Sequence, residues 1–252
     1  MSGFYLVGSV ALGAYRDGRS DIDFIAVLGR GLRAAELRRL RFQHLWSGLT
    51  TGATAIRHGR SPMTGTCNGS FIMGNHVSMP VTEIVPVASH VGHKFRTGRG
   101  GSEVNPVGWK VLAERGVTIR GASPDALGLD PQLAMLRSWN VANLEGYWRS
   151  WTATVTKGSF RLRPRWSTAW SVLGAPRLHH TIATGDVISK EAAGNYALDV
   201  FGRRWHPLVT DALAYWRQEA STLRLSPGDR RHQTCDFVTE VIDSAGALGS
   251  TT

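Results

Sequence analysis

The chain has 252 residues, 42% of them hydrophobic, which is enough for one large domain or two small domains with packed cores. Its formal net charge of +10 favours a phosphate-rich partner, either a nucleotide or a nucleic acid. The two cysteines, Cys67 and Cys235, lie far apart and indicate neither a disulfide framework nor a metal site. The sequence shows no apolar run of membrane-spanning length and no signal-peptide pattern, so we expect a cytoplasmic protein with no membrane partner.

The most informative stretch is segment 8–23, GSVALGAYRDGRSDID, which lies between the apolar runs 4–7 and 24–28. The pattern predicts a strand, a tight turn, a short helix and a second strand. Gly8 permits a sharp turn, and we expect Ser9 to open the helix. Because the first backbone N–H groups of a helix have no partner within it, this turn can bind phosphate oxygens.

Two carboxylates follow on the second predicted strand. Asp21 and Asp23 are two residues apart, so they share one face of the strand while Ile22 points into the core. Two like charges held side by side are costly unless a cation lies between them. The sequence therefore predicts a divalent metal site at Asp21 and Asp23.

The rest of the first half alternates helix, strand and loop patterns. In chain order we predict an amphipathic helix, a Gly-rich loop, a third strand, a second loop and a helix–strand unit: 32–46, 48–66, 69–73, 80–102 and 105–120. In the last of these, Asn105 caps the helix, Pro106 lies in its first turn and Gly116 ends it.

The second half shows helical periodicity and no strand pattern. After the linker 121–130, further helices are predicted around 133–148 and at 167–182, 190–201, 206–217 and 233–244. The expected fold class is α+β, with a mixed sheet and helices in a first domain, 1–127, and a helical bundle in a second, 128–252. Trp166 and Trp170 in the bundle are interpreted either as packing residues or as a platform for a ring-shaped substrate.

Two sets of motifs resemble known families. The first set is a strand, then Gly8-Ser9, a helix, and Ser20-Asp21-x-Asp23 before an apolar strand. This set resembles the signature of the polymerase-beta-like nucleotidyltransferases. Segments 173–178, LGAPRL, and 184–190, TGDVISK, resemble the helical domain of the streptomycin/spectinomycin adenylyltransferases. The resemblance implies a nucleotidyltransferase domain that carries AMP from ATP, with Mg²⁺, to a hydroxyl group of an aminoglycoside-like small molecule. It places the active site in the cleft between the two domains.

The resemblance also implies roles for single residues. The metal would be held by Asp21 and Asp23, and the nucleotide would be bound by a wider set: Gly8, Ser9, Ser20, Arg177 and Lys190. Two cations from the second domain suit the charge that builds up on a leaving pyrophosphate. Either cation taken alone is equally compatible with a surface residue.

The sequence departs from this family at two places. The third carboxylate, the general base, is replaced by Asn68, whose amide oxygen can coordinate a metal but cannot accept a proton at neutral pH. Glu83 is the nearest carboxylate downstream, and it could serve as the catalytic base only if its backbone passes the site. The acid that faces the cationic antibiotic has no counterpart before Arg177, and Glu145 and Asp186 are the plausible local substitutes.

Two alternatives remain open. The basic charge favours a nucleotidyltransferase that acts on RNA or on a protein, although the sequence has no nucleic-acid motif and a nucleic-acid partner is disfavoured. Asn68, together with the short segment ahead of the first strand, favours a catalytically weak nucleotide-binding regulatory protein.

Overall fold

The computed structural model describes residues 1–92, 94–98, 103–157, 165–221 and 223–249. The chain divides into two compact units, Met1–Leu133 and Ala134–Thr252. The first contains the sheet, and the second is helical, which confirms the α+β fold class. A functional boundary between residues 127 and 128 stays a prediction.

The first unit is built on a six-stranded sheet with the order β5-β4-β3-β2-β1-β6. The strands are β1 Gly3–Val7, β2 Ile22–Leu28, β3 Cys67–Met73, β4 Ala88–Val91, β5 Lys94–Thr97 and β6 Val117–Arg120. β2 and β3 run parallel, whereas the other neighbours are antiparallel. Since parallel strands begin at the same edge of a sheet, the first residues of β2 and β3 lie side by side.

Three α-helices accompany the sheet among the described residues of this unit: α1 Gly8–Ala11, α2 Ala34–Arg57 and α3 Pro106–Arg115. Phe24 and Phe71 belong to a buried cluster against which Leu37 and Leu40 of α2 pack. The predicted start of α3 is confirmed, because the Asn105 side chain accepts a hydrogen bond from the Gly108 N–H at 2.9 Å.

Two loop predictions were wrong. Segment 48–66 was expected to be a loop, but α2 continues to Arg57. Its small residues Gly48 and Gly52 are buried, so close tertiary packing outweighs the low helix propensity of glycine. Segment 80–102 contains the hairpin of β4 and β5, whose pairing outweighs the weak strand pattern of its polar sequence.

The turn before α1 also differs from the prediction. α1 begins at Gly8, one residue earlier than expected, and its N-cap position is Val7. No side-chain hydrogen bond caps this helix, so Ser9 is not an N-cap. The Ser9 hydroxyl is consequently available for another role.

The second unit is a helical bundle around α6. Its α-helices are α4 Leu133–Asn143, α5 Arg149–Thr156, α6 Arg165–Thr184, α7 Lys190–Val200, α8 His206–Arg217 and α9 Pro227–Gly249, with a π-helical turn at Leu144–Trp148. α6 packs against α7, α8 and α9. The core includes Leu173, Leu208 and Phe237. Helical structure was predicted over most of these segments and is confirmed. No helix within the described ranges is both long enough and apolar enough to cross a membrane.

His179 is buried in this core as a neutral imidazole. Its Nδ1 lies 2.7 Å from the Tyr196 hydroxyl and its Nε2 lies 3.0 Å from Ser244 Oγ. Burial, followed by the nearby charge of His180, lowers the pKa of His179 to about 4. In the unfolded chain the imidazole takes up its proton near pH 6.5, so acidification favours unfolding.

We therefore expect His179 to contribute a loss of about 2 kcal/mol in the free energy of unfolding between pH 6.5 and pH 4.5. Urea unfolding of the wild type and of His179→Gln at both pH values measures the difference. The control is His232→Gln, at an exposed histidine of the same unit, which should keep the wild-type change in unfolding free energy between the two pH values. Equal slopes in the wild type and His179→Gln would contradict the prediction.

Candidate active site

The candidate site lies where three strands of the first unit meet. In the sheet, Asp23 pairs with Val7 of β1 on one side and with Asn68 of β3 on the other. Gly8 follows Val7 directly, and Asp21 precedes β2. The fold thus brings together residues from three separate parts of the sequence: the Gly8 turn, the two carboxylates and Asn68.

The turn at Gly8 lies against the Asp23 carboxylate. Gly8 has a φ of +57°, and a Cβ atom added there would come within 2.1 Å of Asp23 Oδ2. Only glycine fits this position, both for conformation and for space. The hydroxyl of Ser9 is buried and has no hydrogen-bond partner within the described part of the chain. A buried polar atom without a partner is costly, so the site has a donor ready for an oxygen-rich ligand.

Ser20 has a structural role in the loop that leads to Asp21. It is 1% exposed, and its Oγ accepts a hydrogen bond from the Arg16 N–H at 3.0 Å. Its own N–H donates to the Arg16 carbonyl oxygen at 2.9 Å. These bonds close the loop and fix the direction in which the chain enters β2.

Asn68 contacts Asp21 through its amide nitrogen. It is 2% exposed, and Nδ2 donates to Asp21 Oδ2 at 2.7 Å. Its Oδ1 accepts from the Gly92 N–H at 2.8 Å and lies 3.3 Å from Thr66 Oγ. The Asn68 oxygen is thus engaged away from Asp21, and a role for Asn68 in metal binding or catalysis stays a prediction.

Sequence reasoning missed Gly92, which orients Asn68. The available signal is slight: a lone glycine in a polar stretch is typical of a hairpin turn. Its φ of +59° matches that use.

The charge at the site is negative, because it comes from carboxylates. Burial, and then the charge of Asp23, raise the pKa of the Cys67 thiol. Cys67 therefore stays protonated at neutral pH and is a poor nucleophile. Among the described residues, no group of three or more His, Cys, Asp or Glu side chains could hold a metal ion. The carboxylates at the site are Asp21 and Asp23.

The structure does not bring Glu83 to this site. Glu83 is exposed in a turn after β3, where its N–H donates to the Pro80 carbonyl oxygen at 2.9 Å. No described contact joins Glu83 to Asp21 or Asn68.

In the second unit, Arg177 and Lys190 lie at the junction of α6 and α7. Arg177 Nε donates to the Ile188 carbonyl oxygen at 2.9 Å, just before α7. Ser189 caps α7 by accepting from the Ala192 N–H at 3.1 Å, and Lys190 is the first helical residue. Lys190 Nζ lies 4.7 Å from the centre of the Trp216 ring, a cation–π contact.

The side chains considered for acceptor binding pack or form ion pairs within the helical bundle. Trp170 stacks on Trp148 with ring centres 4.6 Å apart, and Trp166 packs against the core. Glu145 pairs with Arg149 at 2.6 Å, so its charge is already compensated. The structure favours the packing interpretation of both tryptophans.

A family model and a solved structure are similar to this chain. The model of the family "Aminoglycoside adenylyltransferase, C-terminal domain" matches residues 142–240. No curated protein matches the sequence. A crystal structure of spectinomycin adenyltransferase AAD(9) from Enterococcus faecialis with ATP and spectinomycin has the same fold, with a TM-score of 0.63 and 13% identity. The match covers 97% of this chain and 91% of that chain. Residues 142–240 are thus similar to the C-terminal domain of aminoglycoside adenylyltransferases, and the chain shares its fold with a spectinomycin adenyltransferase.

Proposed function

We propose that the protein transfers AMP from ATP to a hydroxyl group of an aminoglycoside-like small molecule of the streptomycin or spectinomycin type, with Mg²⁺. The observation that carries this proposal is the contact between the Asp23 carboxylate and the Gly8 turn, with Asp21 beside it. The structural relative, which was solved with ATP and spectinomycin, supports the choice of substrates. The reaction consumes ATP, and we assign it to the cytoplasm.

The residues at the site fit a magnesium–nucleotide complex. Carboxylates and phosphate oxygens are the ligands that Mg²⁺ prefers, and Asp21 and Asp23 supply the former. The unpartnered Ser9 hydroxyl beside the Gly8 turn is suited to a phosphate oxygen. When bound, Mg²⁺ would polarise the phosphate and offset the charge that develops during transfer.

The chain's own residues would orient the reactants. Gly8 and Ser9 hold the triphosphate, while Arg177 and Lys190 bind its outer phosphates and stabilise the leaving pyrophosphate. The acceptor hydroxyl oxygen then forms a bond to the α-phosphorus as the bond to pyrophosphate breaks, and the hydroxyl proton is released to solvent water. Asn68 cannot take the proton of that hydroxyl, so we expect the wild type to be slow.

Turnover of radiolabelled ATP with a panel of acceptors tests this function. The panel contains streptomycin, spectinomycin, other aminoglycosides, RNA and a protein mixture. Label transferred to a small aminoglycoside-like acceptor supports the proposal, whereas transfer to RNA or protein alone supports the first alternative. The buried amide at position 68 favours the second alternative, a nucleotide-binding regulatory protein. ATP binding without transfer to any acceptor would support it.

We expect Arg177→Ala and Lys190→Ala each to weaken ATP binding by at least about tenfold. Each change removes a charge-assisted contact worth about 1.5–3 kcal/mol. Calorimetry with ATP and Mg²⁺ measures the affinity, and Lys190→Met retains an apolar stem against Trp216 while removing the charge. The matched control is Arg203→Ala, which removes an exposed charge from the same unit. Unchanged affinity in both variants would contradict this nucleotide role.

A further inference from the structure

We infer that Asn68 is a positioning residue that fixes the Asp21 carboxylate and leaves the site with protein ligands for a single divalent cation. The inference rests on the proposed function, because it concerns the metal that the nucleotide would bring. It differs from the expectation for a three-carboxylate site, in which position 68 would itself act as a base or a metal ligand.

The orientation of the Asn68 amide follows from its neighbours. The Gly92 backbone N–H can only donate, so the amide atom 2.8 Å away must be the oxygen. The nitrogen then faces Asp21 Oδ2 at 2.7 Å, where it donates to a carboxylate that can only accept. Exchanging the two amide atoms would set donor against donor and oxygen against oxygen. It would cost both buried hydrogen bonds.

The Gly92 backbone has little room to move away from Asn68. A Cβ atom added at Gly48 of α2 would come within 2.2 Å of the Gly92 carbonyl oxygen, so α2 already lies in close contact with this turn. Met63 Sδ is 2.6 Å from the position that a Cβ of Gly92 would take. His90, two residues before Gly92, anchors the hairpin to β3 through a 2.9 Å contact between Nδ1 and the Cys67 carbonyl oxygen. This packing holds the hairpin against Asn68.

The hydrogen bond has a direct consequence for metal binding. Amide hydrogens point from Asn68 toward Asp21 and carry positive partial charge, which disfavours a cation between the two side chains. Asn68 engages Asp21 Oδ2, so Asp21 would contribute Oδ1 to a metal, beside the carboxylate of Asp23 at the Gly8 turn. A second divalent ion would need a further protein ligand, and Asn68 turns an N–H donor toward Asp21, which cannot coordinate a cation. The protein ligands at the site therefore suit a single ion, completed by phosphate oxygens and water.

Titration with Mn²⁺ tests the inference, with the full chain and a non-hydrolysable ATP analogue. Electron paramagnetic resonance counts the free ion, and calorimetry gives the affinity. We expect one Mn²⁺ per wild-type chain and a second Mn²⁺ in Asn68→Asp. In Asn68→Ala the single site should weaken by about 10–100-fold, because the carboxylate that binds the metal loses its supporting hydrogen bond. Asn75→Asp and Asn75→Ala, at an exposed amide in the same unit, should match the wild type.

The outcomes separate this inference from the proposed function. Two Mn²⁺ ions bound to the wild type, with loss of both in Asp21→Asn and Asp23→Asn, would overturn the single-ion inference and leave the proposed function in place. Unchanged affinity in Asn68→Ala would overturn the positioning role. A wild type that binds no Mn²⁺, or binds it equally well after Asp21→Asn and Asp23→Asn, would overturn the metal assignment on which both proposals depend. Because the count and affinity in the wild type and in Asn68→Ala are decisive, a poorly folded Asn68→Asp variant would not block the test.

Discussion

Asp21→Ala and Asp23→Ala are each expected to lower kcat/KM for nucleotidyl transfer by at least about 10³-fold, because a metal-held carboxylate supplies several kcal/mol of transition-state stabilisation. The two carboxylates flank the Gly8 turn and Asn68, so neither can be replaced by a neighbour in the described sheet. Transfer of labelled AMP to the best acceptor of the panel measures the loss.

Asp21→Ala should lose stability as well as activity. Asp21→Ala leaves the buried Asn68 Nδ2 without an acceptor, which costs about 1–3 kcal/mol. Asp21→Asn removes the negative charge but keeps the size and shape of the side chain. Comparing it with Asp21→Ala therefore shows which of the two properties the activity needs. Asp125→Ala, an exposed carboxylate in the same unit, is the control and should keep wild-type kinetics. Near wild-type turnover in either Asp21→Ala or Asp23→Ala would show that the metal assignment is incorrect.

The part of the site that is local in sequence could be predicted from it. Gly8 turns the chain after an apolar strand, and Asp21 and Asp23 alternate on the next one, so short-range geometry places them together. The Asn105 cap, Pro106 and Gly116 likewise define α3 by local rules.

The parts that depend on distant contacts could not be predicted. The length of α2 depends on the packing of Gly48 against Gly92, a contact with no local signal. The orientation of the Asn68 amide depends on the same turn, 24 residues away. From the sequence, Glu145 was a candidate for the acid that faces the cationic acceptor. In the structure its charge is compensated by Arg149, one helical turn later.

Asn68→Asp is expected to raise kcat by at least about 10²-fold, because it supplies the missing general base, whose help is typically worth about 10²–10⁴-fold. The introduced carboxyl group can still accept from the Gly92 N–H, so its geometry is retained. Its second oxygen, however, replaces an N–H donor and faces Asp21 Oδ2. Steady-state kinetics with the best acceptor measures the gain.

The same variant should become dependent on metal for its stability. Without a cation the two carboxylates repel, which raises the pKa of the introduced carboxyl group above its value in the unfolded chain. Stability relative to the wild type is then greatest at low pH and is lost as the pH rises through that folded-state pKa. Mg²⁺ with a nucleotide should relieve the repulsion, so it should raise the melting temperature of Asn68→Asp more than that of the wild type. Thermal unfolding with EDTA and with Mg²⁺ measures this shift, and Asn75→Asp is the control.

Three kinetic results distinguish the possible roles of position 68. A faster Asn68→Asp supports its placement at the position of the base and explains a slow wild type. If the wild type is already fast and Glu83→Gln abolishes its activity, Glu83 is the base, and the turn that now holds it on the surface must move to the site during catalysis. If both the wild type and Asn68→Asp bind ATP but transfer AMP to no acceptor, the protein is a nucleotide-binding regulator. In that case the buried hydrogen bonds of Asn68 preserve the shape of the nucleotide site after its chemistry has been lost.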